Sequence, residues 1–414
     1  MTHRTRLQTV EDCLRRTPAH SLPEALDGVL RSCLPAVSAV RILLADYHLN
    51  VLVPLDGQDE PDPIRMHGSA VGRAFVSRAP ALTPFPGRGA DPDHCEICVP
   101  VTARGERLGV LAVTTGAPEP ETLLPDLIEI AEVTGCALKV AWNHTDRYER
   151  ARRLRRLTLA AEIQWQLLPG HGCAGAEFSL AGHLEPAYSI GGDNFDWSTE
   201  RDHLTLTVTN GSGSGIQAAL LTSLAVGALR NARRSGADVA DQAALAGDLV
   251  YGRYRGAEFT ETLVLRVNLA DGVVSAVDAG SPHILLMRGA TVIPVELEHQ
   301  MPLGMFADTR YQIQQFKIGA GDRLIIVSDG LYTASTPSGG AFGTTALERV
   351  ARDSRMLDAA EVPLAVIAEL IEHLGKQALA DDAVALCLDW KQPATDSSSQ
   401  AHQAETQESS QGWG

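Results

Sequence analysis

The spacing of apolar and polar positions changes along the chain, and the changes mark out its parts. Between residues 20 and 145 short apolar runs alternate with segments whose apolar residues recur at helical spacing. AVRILLADY (39–47), CEICVPVTARG (95–105) and RLGVLAVTT (107–115) predict strands, the last two joined by a turn at Gly105. SLPEALDGVLRSCLPAV (21–37) and LLPDLIEIAEVTGCALKVAWN (123–143) predict helices. Residues 146–170 read as one charged linker helix, ended by Pro169-Gly170. Six arginines between Arg147 and Arg156 predict a solvated face. Leu154, Leu157, Ile163 and Leu167 form an apolar seam that would suit a parallel helical pair in a homodimer, although it is too short to establish a coiled coil.

Residues 171–391 are rich in strands. HLTLTVT (203–209) alternates Leu204, Leu206 and Val208 inward with threonines outward. TETLVLRVNL and VVSAVDAG flank Asp271-Gly272, and HILLMRG and TVIPVEL flank Gly289-Ala290, two hairpin signals. DRLIIVSDG (322–330) and AVALCLDW (383–390) are apolar enough for buried strands, and long helices are expected near 215–235, 238–253 and 356–378. Many antiparallel strands with a few long helices predict a layered α+β sandwich. The tail, 392–414, is polar, low in complexity and expected to be disordered.

Composition narrows the function. A net charge of -16 argues against nucleic acid or an anionic membrane as a partner, while clustered carboxylates suit hard divalent cations. No apolar run reaches the ~20 residues that span a bilayer. The first residues lack the apolar core of a secretory signal, so the cytoplasm is the expected compartment. Seven cysteines without a framework spacing predict reduced thiols, and the lone CxxC at Cys95 and Cys98 supplies too few ligands for a closed zinc site.

Acidic residues stand at strand ends or in the turns that follow: Asp193 and Asp196 in IGGDNFDW, Asp329 in VSDG, and Asp381-Asp382 in LADDAVAL. Singly, each is an ordinary turn residue. As a set they could converge at one end of two packed sheets, where their repulsion calls for magnesium or manganese. Such ions activate water for in-line phosphoryl displacement. The loop GSGSGI (211–216) satisfies neither a dinucleotide fingerprint nor a P-loop.

SIGGDNFDW, TVTNGSGSGIQAALLTSLAVGALR, FTETLVLRVNLADG, VDAGSPHILLMRG, MPLGMF, GDRLIIVSDGLYTAS and DDAVALCL occur in the order and spacing of the SpoIIE-like, PPM-type protein phosphatases. The preceding AAEIQWQLLPG resembles the segment that leads into that domain, and residues 20–145, with GSAVGRAFVSRAP (68–80) in the middle, resemble a GAF domain. The resemblance implies an α-β-β-α phosphatase sandwich over 171–391, controlled by a GAF-like sensor through the linker. It also implies Mn2+ or Mg2+, one or two ions, and hydrolysis of phosphoserine or phosphothreonine on a regulatory partner protein. Many members act on antagonists of anti-sigma factors. By position, Asp193, Asp329 and Asp381 match the metal-binding, catalytic carboxylates, and Gly211 matches a glycine whose carbonyl contacts the second metal.

The site departs from the family at several places. Asn210 stands where the pattern GDVSGKG has its metal-bridging Asp, Ser281 replaces the His of AGHP, Thr333 replaces a Glu, and Val384 replaces a Thr. An amide offers a metal one neutral oxygen, whereas a carboxylate bridges two ions. One lost charge about 4 Å from a unit charge removes about 4 kcal/mol at an effective dielectric near 20, partly offset by solvation. Two readings stay open: a phosphatase weakened at Asn210, and a catalytically degenerate pseudophosphatase that binds its partner. Asn210 also suits the tight turn before Gly211, and the Asn-Gly pair is prone to deamidation.

Overall fold

The computed structural model describes residues 2–55, 62–84, 94–116, 119–154, 157–187, 191–280, 282–335, 340–375 and 377–391. The tail and Ser281 lie outside these residues.

The N-terminal region is a six-stranded antiparallel sheet with helices on both faces. The strands Cys95–Ala103 and Glu106–Thr115 form the expected hairpin, turning through Arg104 (φ 49°) and Gly105 (φ 87°). Positive φ at both turn residues matches the twist of the flanking strands. Leu22–Cys33 and Leu124–Trp142 cover one face. A further helix, His3–Arg16, begins before residue 20 and buries Val10 and Leu14 in the same core. Cys95 and Cys98 lie three apart on a strand and therefore on opposite faces, and burial pushes the Cys98 thiol up to about 12.

The linker differs from the single helix expected. It comprises Arg147–Arg152 and Leu159–Leu167, the second capped by Thr158, whose hydroxyl accepts from the Ala161 amide at 3.2 Å. Arginines at i, i+3 and i+4 repel one another along one helix, which favours a break. Two of them dock rather than stand in solvent: Arg147 pairs with Glu24, and Arg152 donates to the Ala45 carbonyl at 2.9 Å and stacks on Tyr47, whereas Arg150 and Arg153 are exposed. Leu157 and Ile163 of the seam pack within the chain beside Trp165 and Tyr47.

Beyond the linker, two antiparallel sheets pack face to face. One has five strands, ordered Gln314–Lys317, Val273–Ala279, Glu261–Asn268, His203–Asn210 and Asn194–Thr199. The other has six, with Arg323–Val327 and Ala383–Trp390 at its centre. Leu204, Leu206, Val208, Leu263 and Leu265 of the first meet Leu324, Ile326, Leu386 and Leu388 of the second. Gly215–Arg234 and Val239–Tyr254 cover the first sheet, and Gly343–Asp353 and Val362–Leu374 the second, completing the α-β-β-α order. Thr205, Thr207 and Thr209 are buried rather than solvated, because the helix layer covers the face they occupy. The single helix expected at 356–378 is the shorter Val362–Leu374, preceded by Gly343–Asp353, which the sequence pattern did not mark.

Candidate metal centre

Four chain segments meet at one end of the sandwich, each brought there by a strand end. His203–Asn210 ends in Asn210, which is buried. The neighbouring strand, Asn194–Thr199, starts one residue after Asp193, and Thr209 pairs with Asn194. Arg323–Val327 runs into Ser328 and Asp329, and Asp381-Asp382 precede Ala383–Trp390.

Glycines set the close approach. A Cβ on Gly191 would stand 1.9 Å from Asp381 Oδ1, and one on Gly330 would stand 1.9 Å from the Asp382 carbonyl oxygen. A Cβ on Gly211 would meet the Gly191 oxygen at 2.6 Å. The Gly191-Gly192 loop is thus clasped between Gly211 and Asp381, and only glycine allows that spacing.

The two adjacent aspartates have different tasks. Asp382 is 0% exposed, and its Oδ2 accepts from the amides of Gly191 and Gly192 at 2.9 Å and from Gln164 Nε2 at 2.6 Å. Its Oδ1 accepts from the Ala187 amide at 2.8 Å. Asp382 is a clamp that shapes the loop bearing Asp193. Asp381 is half-buried and, among the described residues, accepts only from its neighbour's amide, Asp382 N, at 2.8 Å. Burial, with Asp329 and Asp382 nearby, pushes its carboxyl up to about 6.

Asp193 is 1% exposed, and among the described residues neither carboxylate oxygen has a full hydrogen bond, although the Ser328 side chain stands close enough to favour its charged form. Burial first, then Asp382, Asp329 and Asp381, raise its carboxyl well above the usual range. Asp329 is raised chiefly by burial and also by Glu261, while its Oδ1 accepts from the Gly330 amide at 2.8 Å. A buried carboxylate with no full hydrogen bond is costly when ionised unless a cation is near.

Not every sequence candidate joins this set. Asp196 faces away and is held by Arg230 Nη2 at 2.7 Å and Arg233 Nη1 at 3.0 Å, a buried structural ion pair. His283 begins a strand and meets the Tyr332 ring edge-on at 3.7 Å between centroids. Thr333 donates to the Asp329 carbonyl at 2.7 Å, and Val384 is in the core between the sheets. Gln164, within AAEIQWQLLPG, holds the site loop through Asp382 and the Asp193 carbonyl, a role that its helical segment does not mark in the sequence.

Among the described residues no group of three or more His, Cys, Asp or Glu side chains is spaced to hold one ion. A magnesium-type site does not require three, since that cation takes one or two carboxylates and keeps several waters. The pair Asp329 and Asp381, beside the buried Asp193 carboxylate, fits such a cation.

Residues 200–391 match the family model described as Stage II sporulation protein E (SpoIIE). That region carries the SpoIIE family-model domain, and it coincides with most of the four-layer sandwich that bears the aspartates. Solved structures similar to it include the SiaA-PP2C domain of Pseudomonas aeruginosa, at 20% identity and TM-score 0.48, covering 56% of this chain and 94% of that one. The RsbU and RsbW domains of Rv1364c from Mycobacterium tuberculosis match at 22% identity and TM-score 0.45, over 56% of this chain and 68% of that one. The PP2C phosphatase domain and regulatory-domain fragment of SpoIIE from Bacillus subtilis match at 17% identity and TM-score 0.45. That alignment covers 51% of this chain and spans 63% of the SpoIIE structure's length. No curated protein matches. Among the described residues, no helix is long and apolar enough to cross a membrane.

Proposed function

We propose that the protein is a divalent-metal-dependent phosphatase that hydrolyses phosphoserine or phosphothreonine on a regulatory partner protein, with the GAF-like N-terminal region as its sensor. The observation that carries this reading is the buried Asp193 carboxylate, with no full hydrogen bond among the described residues, in the same loop cluster as Asp329 and Asp381. Asp329 and Asp381 would hold Mn2+ or Mg2+, the nearby Asp193 carboxylate would add its charge, and the Gly211 carbonyl and the neutral, weaker Asn210 would be further ligands. A cation bound there supplies charge neutralisation and an acidified water nucleophile for attack on phosphorus.

The chain's own part is placement. Asp382 and Gln164 fix the Asp193 loop from below, and Gly191, Gly211 and Gly330 let the backbones close around it. Rigid support of this kind holds ligating groups in productive geometry. No histidine is needed as a proton donor in this scheme.

A second reading is favoured by Asn210 itself: a domain that binds its partner and turns over little. Manganese-dependent hydrolysis of p-nitrophenyl phosphate by the wild type, Asn210→Asp and Asp329→Ala separates the two. Wild-type activity abolished in Asp329→Ala supports the phosphatase. A silent wild type awakened by Asn210→Asp supports the degenerate site.

A further inference from the structure

A cavity of about 330 Å³ lies where the N-terminal sheet, the linker and the start of the C-terminal domain meet. Its walls come from the end of Val37–Ala45, the start of Glu106–Thr115, the last turn of Leu124–Trp142, and both linker helices with the chain up to His171. Small-molecule sites enclose about 300–1,000 Å³, so this one has room for a single-ring compound.

Three aromatic side chains line it, Tyr47, Trp142 and Trp165, and the rings of Tyr47 and Trp165 stand 5.0 Å apart between centroids. Trp165 is 7% exposed, and its indole Nε1 has no hydrogen-bond partner among the described residues. That nitrogen can only donate, and a buried donor without an acceptor is costly. An oxygen on a ligand would satisfy it.

The charged groups of the cavity are unevenly engaged. Glu106 pairs with Lys139 at 2.6 Å, and Glu149 accepts from Trp142 Nε1 at 2.5 Å and from the Tyr47 hydroxyl. Arg107 is taken up by main-chain carbonyls. Arg152 differs. Its Nε donates to the Ala45 carbonyl and its Nη2 is 3.4 Å from His171 Nε2, whereas Nη1 has no partner among the described residues. The guanidinium carbon lies 4.3 Å from the centre of the Tyr47 ring and 5.2 Å from that of Trp142, which fixes the group in place. Both carboxylates of the cavity are thus occupied, while a cation with open donors stands among aromatic walls. A planar arginine fork of this kind matches a carboxylate.

We propose that this cavity binds a small planar aromatic carboxylate. Its ring lies among Tyr47, Trp142 and Trp165, its charge is held by Arg152, and one of its oxygens accepts from Trp165 Nε1. The site needs neither the metal nor phosphatase activity. It does bear on the metal centre, because Gln164, the residue before Trp165 on the same helix, holds Asp382 and the Asp193 carbonyl.

The test is calorimetric titration of the full chain with 4-hydroxyphenylacetate, its neutral amide 4-hydroxyphenylacetamide, and the non-aromatic cyclohexylacetate. Wild type should bind the aromatic acid and bind the amide about 10- to 100-fold more weakly, the effect of losing a charged hydrogen bond. Cyclohexylacetate should also bind more weakly. Arg152→Met, which keeps the apolar stem, should lose the preference for acid over amide, and Trp165→Phe should weaken both ligands a few-fold. Circular dichroism checks that each variant is folded. No saturable binding of the aromatic acid up to about 10 mM overturns the proposal. Equal affinity for acid and amide, or a preference that survives Arg152→Met, overturns the role of Arg152. Should the variants fail to fold, the wild-type ranking of the three compounds decides. Hydrogen exchange reads the link to the metal loop: the amides of Gly191 to Asp193 should exchange more slowly with the acid bound, and unchanged exchange in a saturated protein overturns that link.

Discussion

Gln164 Nε2 donates to Asp382 Oδ2 at 2.6 Å and to the Asp193 carbonyl at 2.9 Å, tying the linker helix to both ends of the candidate metal loop. Asp382 in turn gathers the amides of Ala187, Gly191 and Gly192. Replacing Asp382 by Ala leaves those buried donors without an acceptor, at about 1–3 kcal/mol each before relaxation. Asp382→Ala should therefore lose several kcal/mol in urea unfolding. Asp381→Ala should keep or gain stability in metal-free buffer, since it removes one of several repelling carboxylates. Equal destabilisation by the two variants would refute the division of labour.

Gln164→Leu keeps the helix and its packing volume but removes both donated bonds. A loss of about 1–3 kcal/mol is expected, since a buried charged acceptor loses a partner. Hydrogen exchange offers the sharper readout. The amides of Gly191 to Asp193 should exchange faster in Gln164→Leu, while those of the central strand Arg323–Val327 stay protected. Unchanged loop protection would show that Asp382 holds the loop without help from the linker.

The layers of the C-terminal domain were legible because strand ends carry their own punctuation. Asp271-Gly272 and Gly289-Ala290 join the strands they were expected to join. Asn210 ends a strand, Asp329 follows one, and Asp193 and Asp381 precede theirs, so all four fall at strand ends of one sandwich. The division between Asp381 and Asp382 was not legible. Identical neighbours differ only in burial, which is a property of the assembled fold. Asp196 looked like a site residue until Arg230 and Arg233, one helical turn apart on Gly215–Arg234, supplied its partners. In the linker, Leu157 and Ile163 of the seam pack on the body of their own chain, while Leu154 is exposed, a split that helical spacing alone does not reveal.

Arg107 joins the N-terminal sheet to the C-terminal domain. Its guanidinium donates to the Val76 carbonyl at 3.2 Å and, across the junction, to the Ala360 carbonyl at 2.6 Å. Burial pulls it down to about 10, so it is still charged near neutral pH. Arg107→Met keeps much of the apolar stem and deletes the donors, leaving buried carbonyls unpaired at about 1–3 kcal/mol each. Denaturant unfolding should shift to a lower midpoint and separate into two transitions as the regions uncouple. One transition at the wild-type midpoint would show that the junction is held by other contacts.

Glu185 gives the same junction a dependence on acid. Its Oε2 lies 3.5 Å from His48 in the N-terminal region and 3.5 Å from His183 on its own strand. Burial pushes the carboxyl up, but hydrogen bonds from His183 and His48 outweigh it and hold the group at about 2, against 4.5 when unfolded. A folded value below the unfolded one means that the ionised form stabilises the fold. That contribution is complete above pH 4.5 and is lost as the pH falls through about 2. At about 1.4 kcal/mol per unit the loss is about 3 kcal/mol at most. Urea midpoints measured at intervals between about pH 5 and pH 2 should fall steeply for the wild type and less so for Glu185→Gln, which has no proton to take up. Parallel curves for the two proteins would place the acid sensitivity elsewhere, and a flatter Glu185→Gln curve would locate it at Glu185 and its two histidine partners, His183 and His48.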